Sequence, residues 1–223
     1  MPKAKVITLT PTAADPDGLS TTETLLATRL DSLINGAYAI DFDRNGICLA
    51  QTTGASAALV LNGAQSIDFT ARKGAFIQIF AGSDNTGITF AVVGTDRNGK
   101  RITETITGPD AGLTVLGAVR FYSITSITSS AAVTDNCEVG TNGYATFSTP
   151  QHMTSTHAGD DSGETVTFIG EDRYGRELSE TITGGSGALV TTSGNFARVD
   201  RITASGVGAD AVTVGSNALC ESK

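Results

Sequence analysis

The feature that most restricts what this chain can fold into is a tetrapeptide that recurs as Asp43-Arg44-Asn45-Gly46, Asp96-Arg97-Asn98-Gly99 and Asp172-Arg173-Tyr174-Gly175. Around the last two the likeness spreads outward. Gly87 to Gly108 aligned with Gly163 to Gly184, at a constant offset of 76, gives eleven identities in twenty-two positions, among them Glu104-Thr105-Ile106-Thr107-Gly108 against Glu180-Thr181-Ile182-Thr183-Gly184. With one deletion the match continues, since Ile127-Thr128, Val139-Gly140 and Asn142 return as Ile202-Thr203, Val214-Gly215 and Asn217 at an offset of 75. Self-similarity at a fixed period marks a structural unit written more than once. A fainter third copy is expected to begin near Ala37, where the first tetrapeptide is followed by Leu59-Val60 and Gly63, an echo of Leu113-Thr114 with Gly117 and of Leu189-Val190 with Gly194.

The periodicity within the unit is that of strands. Tyr38, Ile40 and Phe42 alternate with small or acidic residues, as do Ile67 with Phe69, Ile77 with Phe80 less regularly, and Ile88, Phe90 and Val92. Asp-x-Asn-Gly suits a hairpin turn: the aspartate caps a nearby amide, and asparagine and glycine tolerate the left-handed backbone. A hairpin closed at Asn98-Gly99 puts Phe90 and Val92 on one face with Ile102, Glu104 and Ile106. One carboxylate then lies among apolar side chains, and Glu180 between Leu178 and Ile182 repeats the situation. Such a group is either an acid with a perturbed pKa or a salt-bridged or bulge-exposed glutamate, and we take the second reading.

Ahead of the repeats, Met1 to Gly18 holds Pro2, Pro11 and Pro16 and reads as an extended arm. Ser20-Thr21-Thr22-Glu23 fits a capping box, with Leu25, Leu26, Leu30 and Leu33 at helical spacing, so a short helix over about 20–34 is expected. The expected organisation is all-β: an arm and helix at 1–35, a β domain at 36–150 with the first repeat, and a second at 151–223. Each is a small antiparallel sandwich or barrel-like repeat, and a linker is placed at His152 to Gly159. With 223 residues, 26 glycines and no tryptophan, the chain can bury one or two cores but lacks the apolar helices of a bundle.

Few residues speak for chemistry. Asp41-Phe42-Asp43-Arg44-Asn45-Gly46 matches the first half of a calcium loop, but the twelfth position is Thr52 where a bidentate glutamate is needed, and the flanks read as strands. Asp84-Asn85-Thr86-Gly87 and Asp160-Asp161-Ser162-Gly163 are acidic turns of common composition. His152 and His157 have a spacing that could serve zinc, though a polar linker with two exposed histidines is the plainer reading. No phosphate loop and no nucleophile elbow stands in its required context, and serine, histidine and aspartate are too plentiful to single out a triad. We therefore expect no enzymatic activity, no catalytic residues, no cofactor and no metal. Cys48, Cys137 and Cys220, odd in number and far apart, read as reduced structural thiols. A formal charge of −8 with scattered basic residues argues against a nucleic-acid partner. No run approaches the roughly twenty apolar residues of a membrane span, and no secretory segment follows Met1-Pro2-Lys3-Ala4-Lys5, so synthesis in the cytoplasm without membrane partners is expected.

The stretch from Gly87-Ile88-Thr89-Phe90 through Gly94-Thr95-Asp96-Arg97-Asn98-Gly99 to Glu104-Thr105-Ile106-Thr107-Gly108, with Ile124-Thr125-Ser126-Ile127-Thr128, resembles the threonine-rich β repeats of tailed-phage virion proteins, commonly capsid decoration (cement) or tail-associated components. The likeness covers about two thirds of the chain. It implies a virion structural protein whose partner is the major capsid protein or another virion protein, in a homo-oligomer with a trimer favoured, and it carries over no catalytic residue. Under it, residues 1–18 would dock across neighbouring subunits with the helix as anchor. A tail tube, adaptor or fibre part is the alternative. A carbohydrate-binding β module for host attachment is a further one, weakened by the lack of tryptophan.

Overall fold

The computed structural model describes residues 15–24, 31–32, 42–205 and 211–217. These form the strands β1 (Asp15–Thr24), β2 (Asp31–Ser32), β3 (Asp43–Thr53), β4 (Ala75–Ala81), β5 (Thr89–Thr95), β6 (Arg101–Thr107), β7 (Thr114–Phe121) and β8 (Ser123–Ser129), all but the first two within the first repeat unit. They continue as β9 (Val133–Thr141), β10 (Ala145–His157), β11 (Thr165–Glu171), β12 (Glu177–Thr183), β13 (Leu189–Thr191), β14 (Phe196–Ala204) and β15 (Ala211–Asn217). Every pairing between them is antiparallel. The all-β class and the small antiparallel repeats expected from the sequence are what the chain forms.

Unit one sets a three-stranded sheet, β6-β5-β8, against a four-stranded one, β3-β9-β4-β7. Unit two sets β12-β11-β14 against β13-β10-β15-β1, the two halves running together because the start of β10 also pairs with β14. Each unit has its own core. Phe90, Val92, Ile77, Ile79, Ile127 and Val139 are among the buried side chains of the first, and Phe168, Val166, Met153, Phe196, Ile202 and Val214 among those of the second. Phe90 and Val92 correspond in register to Val166 and Phe168, so the large and small residues have changed places while their summed volume stayed the same. Volume-conserving exchange is the kind of core change a packed interior tolerates best. The unit boundary falls at Asn142 to Ala145, ahead of the expected 150–151. Residues 152–157, expected in a linker, belong to the long strand β10, because Met153 alternates into the second core.

The segment ahead of the repeats is the main correction. Ser20 to Thr24 lies in β1 and Asp31-Ser32 in β2, so the helix expected at 20–34 does not form there; 25–30 and 33–34 lie outside the described residues. Nor is 15–18 a free arm, since Asp15 stands opposite Ser216 and Ser20 opposite Val214 in β15. The pairing repeats that of β3, in which Asp43 stands opposite Thr141 and Cys48 opposite Val139 in β9. In both, five positions on the closing strand are matched by two on its partner, so three residues are thrown out as a large bulge. Asp15-Pro16-Asp17-Gly18 thus corresponds to Asp43-Arg44-Asn45-Gly46. In the latter the Asp43 carboxylate accepts the Asn45 amide, bending the strand locally. The tetrapeptide has two structural roles, hairpin turn at 96–99 and 172–175 and strand bulge at 43–46, and the faint third copy is the closing strand of unit one.

The two hairpins form as expected, with Phe90 opposite Ile106 and Val92 opposite Glu104. Asp96 Oδ1 accepts the amides of Asn98 and Lys100, and Asp172 Oδ1 those of Tyr174 and Arg176. Only the glycine takes the left-handed conformation, Gly99 at φ 76° and Gly175 at φ 73°; the asparagine does not need it.

Candidate functional site

Neither Glu104 nor Glu180 is thrown out on a bulge, which corrects that half of the reading we took, and both carboxylates bond backbone amides. Each reaches from the edge strand of its hairpin across the seam and accepts N–H groups there, Glu104 on β7 and Glu180 on the segment between β13 and β14. Glu104 Oε1 takes Ala118 N–H at 2.5 Å and Val119 N–H at 3.2 Å on β7. Glu180 Oε1 takes Ser193 N–H at 2.5 Å, and its Oε2 takes Gly194 N–H at 2.6 Å. The carboxylate stands in for the backbone ladder that β6 and β7 do not form with each other, so each unit's two sheets are latched along one side. Gly117 and Gly194 make room for it: a Cβ there would lie 2.6 and 2.7 Å from the glutamate oxygens. Burial pushes the Glu180 carboxyl up, but the bonds from the Ser193 and Gly194 amides and the Ser193 hydroxyl outweigh it and hold the group below the usual glutamate range.

The densest charged cluster lies where the units meet. Phe76 on β4 stands opposite Arg120 on β7. Arg120 Nη2 lies 2.7 Å from Asp200 Oδ2, and its Nη1 3.8 Å from Glu171 Oε1. Lys73 Nζ reaches Glu171 Oε2 at 2.8 Å, Arg198 Nε lies 2.5 Å from Asp200 Oδ1, and Asn142 donates to the Asp200 carbonyl at 2.9 Å. Asp200 is available for this because it is the extra residue of a bulge: β11 passes from Ile169 to Gly170 while β14 passes from Arg201 to Val199. Glu171, Arg198 and Asp200 are buried, and the Arg198 guanidinium lies over the Tyr144 ring, 4.1 Å from its centroid. Two cations on one aspartate offset its loss of water, and removing either partner would strand a buried charge. The units are held in one relative position by chemistry rather than by their short connection alone.

A second polar cluster is sealed inside unit two. Ser155 Oγ lies 2.8 Å from His157 Nε2, and His157 Nδ1 lies 2.9 Å from Asp161 Oδ2. The connectivity is that of a hydrolase triad, hydroxyl to imidazole to orienting carboxylate. Access is not: the three residues are 0%, 1% and 2% exposed, and β13 and β15 flank the strand that carries Ser155. In unit one the same positions are Ile79, Ala81 and Asn85. The network therefore fills, with mutually satisfied polar groups, a place the sister unit fills largely with apolar side chains. His157 is a core residue, contrary to the exposed pair we read as a linker. Sequence reasoning passed over this cluster, although Ser-x-His on an alternating strand, followed after three residues by the aspartate of a turn, contained the signal.

The remaining candidates are occupied locally. Asp84 Oδ1 accepts the amide and hydroxyl of Thr86, and the Asp160 carboxylate accepts the hydroxyl and amide of Ser162, contacts that hold both carboxyls below their ordinary range. Asp43 lies in β3, and Asp41 lies outside the described residues. Among the described residues no group of three or more His, Cys, Asp or Glu is placed to hold a metal. Cys48 and Cys137 are free and buried, and burial pushes each thiol up to about 12; Cys220 lies outside the described residues. An open groove of about 300 Å³ runs beside the first hairpin turn, lined by Ile67, Asp68, Thr95, Tyr122 and Ser123 among others. Among the described residues no helix is long and apolar enough to cross a membrane. No protein-family model, curated protein or solved structure matches the chain.

Proposed function

We infer that this chain is a non-enzymatic structural protein of a tailed-phage particle, first of all a capsid decoration protein that binds and stabilises the lattice of the major capsid protein. The observation that carries this reading is the junction: two β units of one register, fused through buried ion pairs, make a stiff block suited to spanning neighbouring subunits. The latched sheets add to it, since they leave little freedom between the halves of a unit. The resemblance of the threonine-rich hairpins to virion repeats points the same way. A tail tube, adaptor or fibre part would draw on the same rigidity. Residues 15–18 contribute no free arm to such binding, because Asp15 and Ser20 on either side of the bulge pair with β15.

Cryo-electron microscopy of purified particles, with density sought separately on head and tail, tests the reading. Many copies over the capsid lattice are expected. Density confined to the tail would move the assignment there, and absence from the particle would refute a virion role.

A further inference from the structure

The groove beside the first hairpin turn takes no part in the junction or in the glutamate latches. Its counterpart on unit two is closed. Thr95 pairs with Ser123 where Glu171 pairs with Arg198, and it is at Glu171 that Lys73 and Arg120 of unit one enter. In unit one the same place holds two hydroxyls bonded to each other, Thr95 Oγ1 and Ser123 Oγ at 2.7 Å, and the groove stays open.

Backbone bonds fix its walls. Phe69 N–H donates to the Tyr122 carbonyl at 2.8 Å, Tyr122 N–H to the Thr95 carbonyl at 2.8 Å and Ile124 N–H to the Ile67 carbonyl at 3.0 Å. The Tyr122 ring packs against Gly74, where a Cβ would come within 2.9 Å of its Cε2. The groove is therefore formed before any ligand arrives, as small-molecule sites usually are.

The charged groups that line it have atoms to spare. Asp68 uses only Oδ1, which accepts the Thr70 amide at 2.9 Å and the Thr70 hydroxyl at 2.6 Å. Asp96 likewise uses only Oδ1, on the amides of Asn98 and Lys100. The Oδ2 of each has no partner among the described residues, and the exposed Arg97 beside them contributes a guanidinium in the same condition. The Thr70 hydroxyl and amide hold the Asp68 carboxyl below its ordinary range, so it is ionised at neutral pH.

We propose that this groove binds a neutral sugar ring, a pyranose residue of a glycan. An anion would meet two carboxylates there, and the described residues offer no cluster of three acids, histidines or thiols to a metal ion. A lone organic cation would meet Arg97. Ring hydroxyls satisfy both signs, since each can donate to a carboxylate and accept from a guanidinium, and such charge-assisted bonds are the strong ones. Tyr122 supplies an aromatic surface and Ile67 and Ile124 apolar contact for the C–H face of the ring. The volume, about 300 Å³, is at the small end of ligand pockets and suits one or two rings. Sugar binding here is independent of a virion role, so either reading can fail alone.

The test applies the full-length chain to an array of neutral, amine-bearing, uronic-acid and sialylated glycans, with saturation-transfer NMR on the neutral ones. Binding of a neutral glycan is expected. Asp68→Asn, which keeps the Thr70 contacts, and Arg97→Ala should each weaken it about tenfold or more with the circular dichroism spectrum unchanged. Arg173→Ala, the same position on the second hairpin, should leave it unaltered. No binding, binding confined to acidic or amine-bearing glycans, or binding that either groove substitution leaves intact overturns the proposal.

Discussion

Replacing Glu180 by glutamine exchanges one oxygen for an NH2 group and removes one charge. Both carboxylate oxygens are in use, Oε1 by Ser193 N–H and Oε2 by Gly194 N–H. A glutamine can serve one amide with its carbonyl but must aim its own donors at the other. A hydrogen bond to a charged acceptor contributes about 1.5–3 kcal/mol, so Glu180→Gln should destabilise unit two by about that amount. Glu104 differs, because both of its amides fall on Oε1. A glutamine there can keep both bonds on its carbonyl oxygen, so Glu104→Gln should cost less. Urea unfolding followed by far-ultraviolet circular dichroism measures both variants against the parent. Equal costs, or a larger cost at Glu104, would refute the latch geometry. The pH profile supplies an independent arm. Because the folded pKa of Glu180 is depressed, its stabilisation is fully present above the ordinary glutamate value of about 4.3 and is lost as pH falls through the lower folded value. Glu180→Gln should lack that acid-side decline.

Asp200→Ala strands Arg120 and Arg198 at the junction and should cost about 3–5 kcal/mol, with scanning calorimetry resolving separate transitions for the two units; a single unshifted transition would contradict the junction's role. Gly99→Ala should cost about 1–2 kcal/mol in chemical denaturation from backbone strain alone, since nothing lies within 4 Å of the added Cβ. His157→Ala should lower the Tm of unit two by leaving Ser155 and Asp161 without their shared partner, whereas the triple change Ser155→Ile, His157→Ala, Asp161→Asn, which imports unit one's residues, should recover most of the loss. Deleting residues 1–24 removes β1, exposes the β15 edge and should abolish the transition of unit two while unit one still melts cooperatively.

The hairpins were legible because their signal is local: an aspartate that caps two amides and a glycine that accepts positive φ sit within five residues of each other. The shared face of Phe90, Val92 and Glu104 came from period two alone. The features that escaped the sequence depend on partners distant along the chain. Leu25, Leu26, Leu30 and Leu33 have helical spacing, yet Ser20 to Thr24 pair with a strand nearly two hundred residues away, and a vacant sheet edge outweighs a modest helix propensity. Asp43-Gly46 carries the same tetrapeptide as the hairpins, but its neighbour in space is β9 rather than its own returning strand, so it bulges instead of turning. The Glu latch was half seen: the sequence placed the carboxylate on the right face but held no indication that the amides of Ala118 or Gly194 would come to meet it. His157 was misplaced because a polar stretch reads as a linker until the cores on either side of it are known.

The pairing of β1 with β15 ties the first of the described strands to the last of them. On a ribosome adding about 5–20 residues each second, Thr24 waits on the order of 10–40 seconds before its partner at Ala211 is synthesised. Unit one has all of its strands by Thr141 and can finish meanwhile. Throughout that interval β1 is a polar, threonine-rich segment with no mate in its own chain, and a neighbouring nascent chain on the same message would offer β15 edges of identical register.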